Sequence, residues 1–437
     1  MASSYSSNYL RLLSYTKTLT SHVNNGRHHE ALSLFHHIHS SLSLSLDPFI
    51  FPLALKSCSS LNSPYLGISI HALTYKHSFL TNPYVASALL IMYGKCISIP
   101  SARKLFDEIP QRNEVVWNSM ISLYAASKNI SAALELFGVM DVKPSASSFN
   151  SIMAGFLLDC VEDDIDGCYK AIDFYRQMLK MGLSPNLITV LALLKACLGL
   201  AELSLIKEIH GYSIRNGIDP NMQFRSGLVE AYGRCGDLKT ADEVFQQMKE
   251  DDVPDVVAWS SLISAHALQG DARNALKIFE RMEMANVKPD KITFLAVLKA
   301  CSHAGLPDEA RMYFSRMHNQ YGLEAGSDHY ACLVDVLSRA GRLHEAYDLI
   351  RQMPVKASVK AWGALLAACR SYGEVELGEI AGRALLEMEP ENPANYVILG
   401  RLYTSAGRRR EAEELRREMK ERGLKVSPGS SWTMHQN

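Results

Sequence analysis

Apolar residues along this chain fall in short bursts at helical spacing, and the bursts themselves recur about every 35 residues. The clearest copy runs from Val256 to Asp290 and reads VVAWSSLISAHALQGDARNALKIFERMEMANVKPD. Trp259, Leu262 and Ile263 lie at i, i+3 and i+4, one face of a helix. Gly270 breaks that pattern and Asp271 is placed to cap a second helix. In it Ala275, Phe279 and Met282 form another stripe at i, i+4 and i+7. Pro289 ends the second helix, and Asp290 favours the start of the next. Other copies close alike, in Ser184-Pro185-Asn186 and Lys143-Pro144-Ser145. Neither helix can bury its stripe alone, but stacked hairpins can, so the period predicts an α-solenoid.

With Val256–Asp290 as template, ten units fall at 12–47, 48–82, 83–113, 114–145, 146–186, 187–221, 222–255, 256–290, 291–326 and 327–358. Two divergent copies follow at 359–392 and 393–432, leaving a segment 1–11 ahead and a tail 433–437 behind. The expectation is an all-α chain of about two dozen helices, helix-turn-helix units stacked into a superhelix, with no sheet. Unit 146–186 is longer than its neighbours, and the excess sits around Leu157–Gly167 with Glu162, Asp163, Asp164 and Asp166. An expanded loop between its two helices accommodates that excess. Function is then expected along an extended groove, not in one pocket.

The 437 residues carry 45 basic and 46 acidic side chains, a net charge of −1. That balance argues against holding nucleic acid mainly by blanket phosphate neutralisation, and it predicts a shallow salt dependence for any such binding. No apolar run approaches the ~18 residues of a membrane span. The nine cysteines follow the repeat: Cys58, Cys197, Cys301 and Cys369 at the eleventh place, Cys96 and Cys235 at the fourteenth. Without a CxxC pair they read as small buried side chains in a reducing compartment, not zinc ligands. The first 29 residues lack Asp and Glu but carry Arg11, Lys17, Arg27 and many serines. This has the composition of an organelle transit segment, against the plainer reading that it belongs to the first repeat.

The unit openings Val115-Val116-Trp117-Asn118-Ser119-Met120-Ile121 and Val257-Ala258-Trp259-Ser260-Ser261-Leu262-Ile263 resemble those of the plant pentatricopeptide repeat (PPR) family. The tetratricopeptide pattern Trp-x-x-Leu-Gly-x-x-Tyr is not found. Leu194-Lys195-Ala196-Cys197 and Leu298-Lys299-Ala300-Cys301 resemble the long-type units of the PLS subfamily. Met92-Tyr93-Gly94-Lys95-Cys96 and Ala231-Tyr232-Gly233-Arg234-Cys235-Gly236 resemble its short-type units. His329-Tyr330-Ala331-Cys332-Leu333-Val334-Asp335 looks like the last short unit before a C-terminal extension. Trp362-Gly363-Ala364-Leu365-Leu366, Asn395-Tyr396-Val397 and Pro428-Gly429-Ser430-Ser431-Trp432 resemble that extension, the E region, here 359–432. The family's DYW deaminase tail is not recognised, since five residues follow Trp432. The resemblance implies a right-handed superhelix reading one base of single-stranded RNA per repeat.

Implied by the same resemblance, the fifth residue of each unit and its last residue choose the base. Thr16 with Asp47, Ser226 with Asp255, and Ser260 with Asp290 would favour guanine. Ser87 with Asn113 would favour adenine, Asn118 with Ser145 cytosine, and Asn150 with Asn186 a pyrimidine. Val115 and Val257, at the second place, would pack flat against bases. Helix caps want the same Asp, Asn and Ser, which is the plain structural alternative for each last residue. Long-type units depart from the pattern with Pro52, Leu191 and Leu295 at the fifth place, as does Ala331 in the last short unit. At ~1 kcal/mol net per pair, six pairs give on the order of 10⁴ in discrimination, enough to prefer a short site.

A deaminase needs an H-x-E motif with paired cysteines to hold zinc. His28-His29-Glu30 fits H-x-E literally, but it opens a helix and has no C-x-x-C partner. The chain is therefore expected to be no enzyme and to hold no cofactor or metal. The resemblance implies a mitochondrial protein, with the chloroplast as alternative, that specifies C-to-U editing sites and recruits a deaminase-bearing PPR partner and other editing factors. An RNA splicing, stability or translation factor is the runner-up, and a protein–protein scaffold the more distant alternative. From Arg401 to Lys425 nine basic residues stand against five glutamates. Helix-surface pairing, such as Glu413 with Arg417 and Glu418 with Arg422, competes there with a phosphate-facing or partner-facing patch.

Overall fold

The computed structural model describes residues 2–41, 47–158, 165–218, 221–251 and 253–424. Among them are 24 α-helices, one 3-10 turn (Phe79–Thr81) and no strand. The chain divides into two compact bodies, Met1–Ile218 and Asp219–Asn437. No helix is long and apolar enough to cross a membrane among the described residues.

Within each body successive helices pair as hairpins. From Pro83 onward every unit's first helix starts at the unit's first residue: Pro83, Glu114, Ala146, Leu187, Met222, Val256, Lys291, Ser327, Val359 and Pro393. The opening helix, Ala2–Asn24, begins ahead of the Leu12 register and buries Leu19 and Val23. The long unit has helices Ala146–Phe156 and Ile165–Lys180, which flank the expanded segment. Glu162, Asp163 and Asp164 lie outside the described residues, while Asp166 pairs with Lys170 in the second helix. Pro428–Trp432 also lies outside them.

The two helices of a unit are built differently because they have different neighbours. In Val256–Leu268 eight residues are buried, among them Ala258, Trp259, Leu262, Ile263 and Ala265. Burial around so much of the helix reflects first helices packed on both sides, Met222–Arg234 and Lys291–Ala304. Ala272–Met284 is one-sided: Ala275, Ile278, Phe279 and Met282 are buried and the opposite face is solvated. Within a body, second helices also touch the next unit's first helix, where aromatic rings meet edge-on. Phe106–Trp117, Phe137–Phe149, Phe245–Trp259 and Phe279–Phe294 have centroids 4.7–5.5 Å apart. Such pairs add to area burial and tie one unit to the next.

Gly233 marks a close approach of two first helices. A Cβ there would lie 2.4 Å from Ala265 Cβ. Gly233→Ala should therefore lower the melting temperature, because overpacking of about 1–3 kcal/mol outweighs the ~1 kcal/mol gained in helix propensity. A circular-dichroism melt showing an unchanged or raised transition would contradict this packing. Cys58, Cys168, Cys197, Cys301 and Cys369 are buried. Burial pushes the thiols of Cys58 and Cys369 up to about 11 and that of Cys301 to about 12, so they stay protonated at neutral pH.

Candidate nucleic-acid interface

From Asn82 to Asn392 the last residue of a unit is the N-cap of the next unit's first helix, as the requirements of a helix start predict. Asn113 accepts the Val116 N–H at 3.1 Å, Asn186 that of Thr189 at 3.1 Å, Asp255 that of Ala258 at 2.8 Å and Asp290 that of Thr293 at 2.8 Å. Ser145 accepts from Ser147 at 3.1 Å. Asp47 holds the Phe49 N–H at 3.0 Å in the turn that leads into helix Ile50–Ser60. In Asn186, Asp255 and Asp290 one oxygen does this work. Asp255 Oδ2, Asp290 Oδ2 and the Asn186 NH₂ group have no hydrogen-bond partner among the described residues.

The fifth residues sit one turn into the helices, and most are nearly buried: Ser226 is 2% exposed, Asn150 and Ser260 5%, and Asn118 9%. Two of the six expected pairs meet directly. Asn150 Nδ2 donates to Asn186 Oδ1 at 3.1 Å. Ser226 Oγ lies 2.9 Å from Asp255 Oδ1 and 2.9 Å from the Met222 carbonyl. A third pair is joined through an intermediary: Ser260 Oγ is 2.7 Å from Thr293 Oγ1, which lies 2.8 Å from Asp290 Oδ1. Ser87 turns to Ser119 instead of Asn113, at 2.6 Å. Asn118 donates to Glu114 at 3.2 Å instead of meeting Ser145, and its Oδ1 is buried without a partner. An unsatisfied buried acceptor is costly, and an incoming donor would relieve it. Thr16 is half-buried in the opening helix.

Second-place residues form a signal larger than Val115 and Val257 alone. Val257 is 50% exposed and Val115 half-buried. Leu13, Phe49, Tyr84, Ile188 and Ile292 occupy the same place in their units and are 42–66% exposed. Large apolar side chains at least partly exposed at the same place in seven units have no use in the core. The register alone would have found them, because their helical phase differs from that of the buried stripe.

In the N-terminal body a cleft of about 300 Å³ shows how these places combine. Its lining includes Ser147 and Ile188, second-place residues of successive units, and the Asn150–Asn186 pair. In the C-terminal body the equivalent cleft, about 290 Å³, lies over Ala331 and Cys332. Its second-place residues are charged, with Lys360 Nζ 3.6 Å from Asp328 Oδ1. An exposed ion pair of this kind is worth ~0–1 kcal/mol. With Ala331 beneath it, this unit lacks both the apolar second place and the polar fifth one.

Among the described residues no group of three or more His, Cys, Asp or Glu side chains is placed to hold a metal ion. His28 Nδ1 lies 3.4 Å from Ser57 Oγ. Four of the eight described basic residues in the C-terminal run are ion-paired, namely Arg408, Arg410, Arg417 and Arg422. Arg408 bridges Glu379 and Glu411, both at 2.8 Å, and Arg422 meets Glu418 at 3.3 Å as expected. Arg417 turns to Glu421 at 3.9 Å, not to Glu413, since one helical turn separates it equally from both. Arg401, Arg409, Arg416 and Lys420 form no ion pair among the described residues.

Comparison with known proteins finds repeat models along the chain. Models of the PPR repeat match residues 115–143, 226–253, 292–320 and 328–356, and a PPR repeat family model matches 254–303. A model of the E motif matches 372–434, inside and just beyond the expected extension. Among solved structures, PPR10 in complex with an 18-nt psaJ RNA element superposes with a TM-score of 0.71 at 17% identity, covering 94% of this chain and 60% of PPR10. That likeness establishes the solenoid fold. A mitochondrial PPR-containing protein of Arabidopsis thaliana is 36% identical over 89% of this chain, and a chloroplastic one 34% over 96%. This chain spans 63% and 39% of those two relatives. A putative PPR-containing protein of the same plant is 58% identical over 99% of both chains. The chain belongs to the pentatricopeptide repeat family and carries its E motif.

Proposed function

We propose that this protein binds single-stranded RNA of a plant organelle sequence-selectively, reading bases with fifth and last residues in register. The observation that carries this reading is the repeated cluster itself. A nearly buried polar fifth residue is bonded to the N-cap of the next helix, directly at Asn150–Asn186 and Ser226–Asp255, beside a second-place residue. Asp255 and Asp290 offer a carboxylate oxygen to the N–H groups of guanine, while the Asn186 amide offers N–H groups to a pyrimidine acceptor. A peptide-binding scaffold has no need for short polar pairs at two fixed places.

The test is a mobility shift with an oligonucleotide built on G-n-A-C-Y-n-G-G, 5′ to 3′ along the units from the N-terminus. Tight binding relative to a scrambled strand of equal composition is expected, and equal binding to both would sink the base-reading proposal. Within that function, the E motif supports a role in choosing cytidines for C-to-U editing, with a deaminase-bearing PPR protein and other editing factors supplied in trans. We assign no catalytic step to this chain. Its setting is a mitochondrion or a chloroplast, in keeping with the names of its relatives.

A further inference from the structure

A buried hydroxyl lies beneath two of the reading pairs, at the third place of the following unit. Thr189 and Thr293 are both 0% exposed. Each accepts its own N-cap's N–H at 3.2 Å, from Asn186 and Asp290, as a capping box requires. Each also reaches back into the preceding unit, which capping does not require. Thr189 Oγ1 donates to Asn150 Oδ1 at 2.8 Å and lies 3.1 Å from Asn186 Oδ1. Thr293 Oγ1 lies 2.7 Å from Ser260 Oγ and 2.8 Å from Asp290 Oδ1.

We propose that this third-place hydroxyl is a specificity-determining positioning residue, which fixes the atoms that the fifth and last residues turn toward the base. An asparagine amide has an acceptor on one side and two donors on the other, nearly identical in shape, so a half-turn about its terminal bond inverts what a base meets. The Thr189 hydroxyl selects the orientation with Asn150 Oδ1 facing inward. Asn150 Nδ2 then faces Asn186 Oδ1, whose oxygen is also held by the Thr189 N–H. The groups left for the cleft are amide hydrogens of both asparagines, donors suited to the acceptor edge of a pyrimidine. In the flipped orientation Asn150 Oδ1 would face Asn186 Oδ1, acceptor against acceptor, and the Thr189 hydroxyl would lose the oxygen it donates to.

Two other units sharpen the contrast. At Ser226–Asp255 the third place is Ala258, and the serine, with one oxygen and no orientation to choose, bonds Asp255 directly. At Asn118 the third-place residue of the next unit, Ser148, holds the Ser145 N–H at 3.2 Å, while Asn118 turns to Glu114 and keeps an unpartnered oxygen.

The inference rests on the base-reading function, and the test separates the two. Dissociation constants of the full chain, of Thr189→Val and of Thr189→Ser are measured on oligonucleotides varied only at the nucleotide facing Asn150–Asn186. A second set is varied only at the nucleotide facing Ser226–Asp255. The expected result is a pyrimidine-over-purine ratio that falls about five- to tenfold in Thr189→Val, the effect of one neutral hydrogen bond, and returns in Thr189→Ser. Guanine preference at the second nucleotide stays unchanged. An unchanged ratio in Thr189→Val overturns the inference even if the melting temperature falls. So does an equal loss at both nucleotides, which marks general destabilisation. A natural chain indifferent to the base at either nucleotide overturns the base-reading function itself.

Discussion

Replacing Asp290 with Asn should move the preference at one nucleotide from guanine to adenine and leave every other position alone. Asp290 Oδ1 is committed inside the protein, to the N–H and hydroxyl of Thr293, both at 2.8 Å. Asparagine preserves that oxygen and converts the other into an NH₂ group. An acceptor for the N–H edge of guanine thereby becomes a donor for the ring nitrogen of adenine. A hydrogen bond to a charged group contributes ~1.5–3 kcal/mol, so guanine should lose between about tenfold and a hundredfold. Because Asn caps a helix about as well as Asp, the melting temperature should barely change. Four oligonucleotides differing at that base, run in one mobility-shift series, decide the matter, and an unmoved preference refutes the pairing of Ser260 with Asp290.

The second large effect should come from removing 359–432. If this region docks the deaminase-bearing partner, the truncated chain should lose editing of its cytidine in the organelle while keeping RNA affinity within about twofold. A solenoid's stability is approximately a sum of unit and nearest-neighbour terms, so loss of two terminal units is felt mainly by unit 327–358. The reading pair nearest the cut, Ser260–Asp290, lies farther in. Transcript sequencing from a loss-of-function line complemented with the full or truncated chain gives the answer. Editing restored by the truncated chain would rule out the docking role. Intact editing in the loss-of-function line, with altered splicing or transcript ends, would favour the other RNA-processing role.

Most of the fold was legible because its determinants are local and repeated. Trp259, Phe279 and Met282 are fully buried where the stripes placed them. Repetition also exposed the last-place residues, whose capping chemistry is a sequence signal in its own right. The wiring between units was hidden. That Thr293 bridges Ser260 to Asp290, that Ser87 prefers Ser119, and that Asn118 turns to Glu114 depend on side-chain reach across helix pairs, which no spacing encodes. The exposed second-place residues were visible in principle, but an apolar residue beside a buried stripe reads as more core until its helical phase is counted.

On the proposed base-reading function, a final residue that also caps a helix has a consequence for how such a protein changes over generations. Asn, Asp and Ser are among the strongest N-caps, and substitution among them leaves a first helix properly started. A base-reader that draws its letters from the capping residues can be rewritten at one position with almost no penalty to folding. Its target can therefore drift as the organellar transcript drifts, one nucleotide at a time, through intermediates that all remain folded. Replacement by a residue that caps poorly would remove the letter and loosen the helix together, so selection for a folded protein by itself keeps the alphabet small.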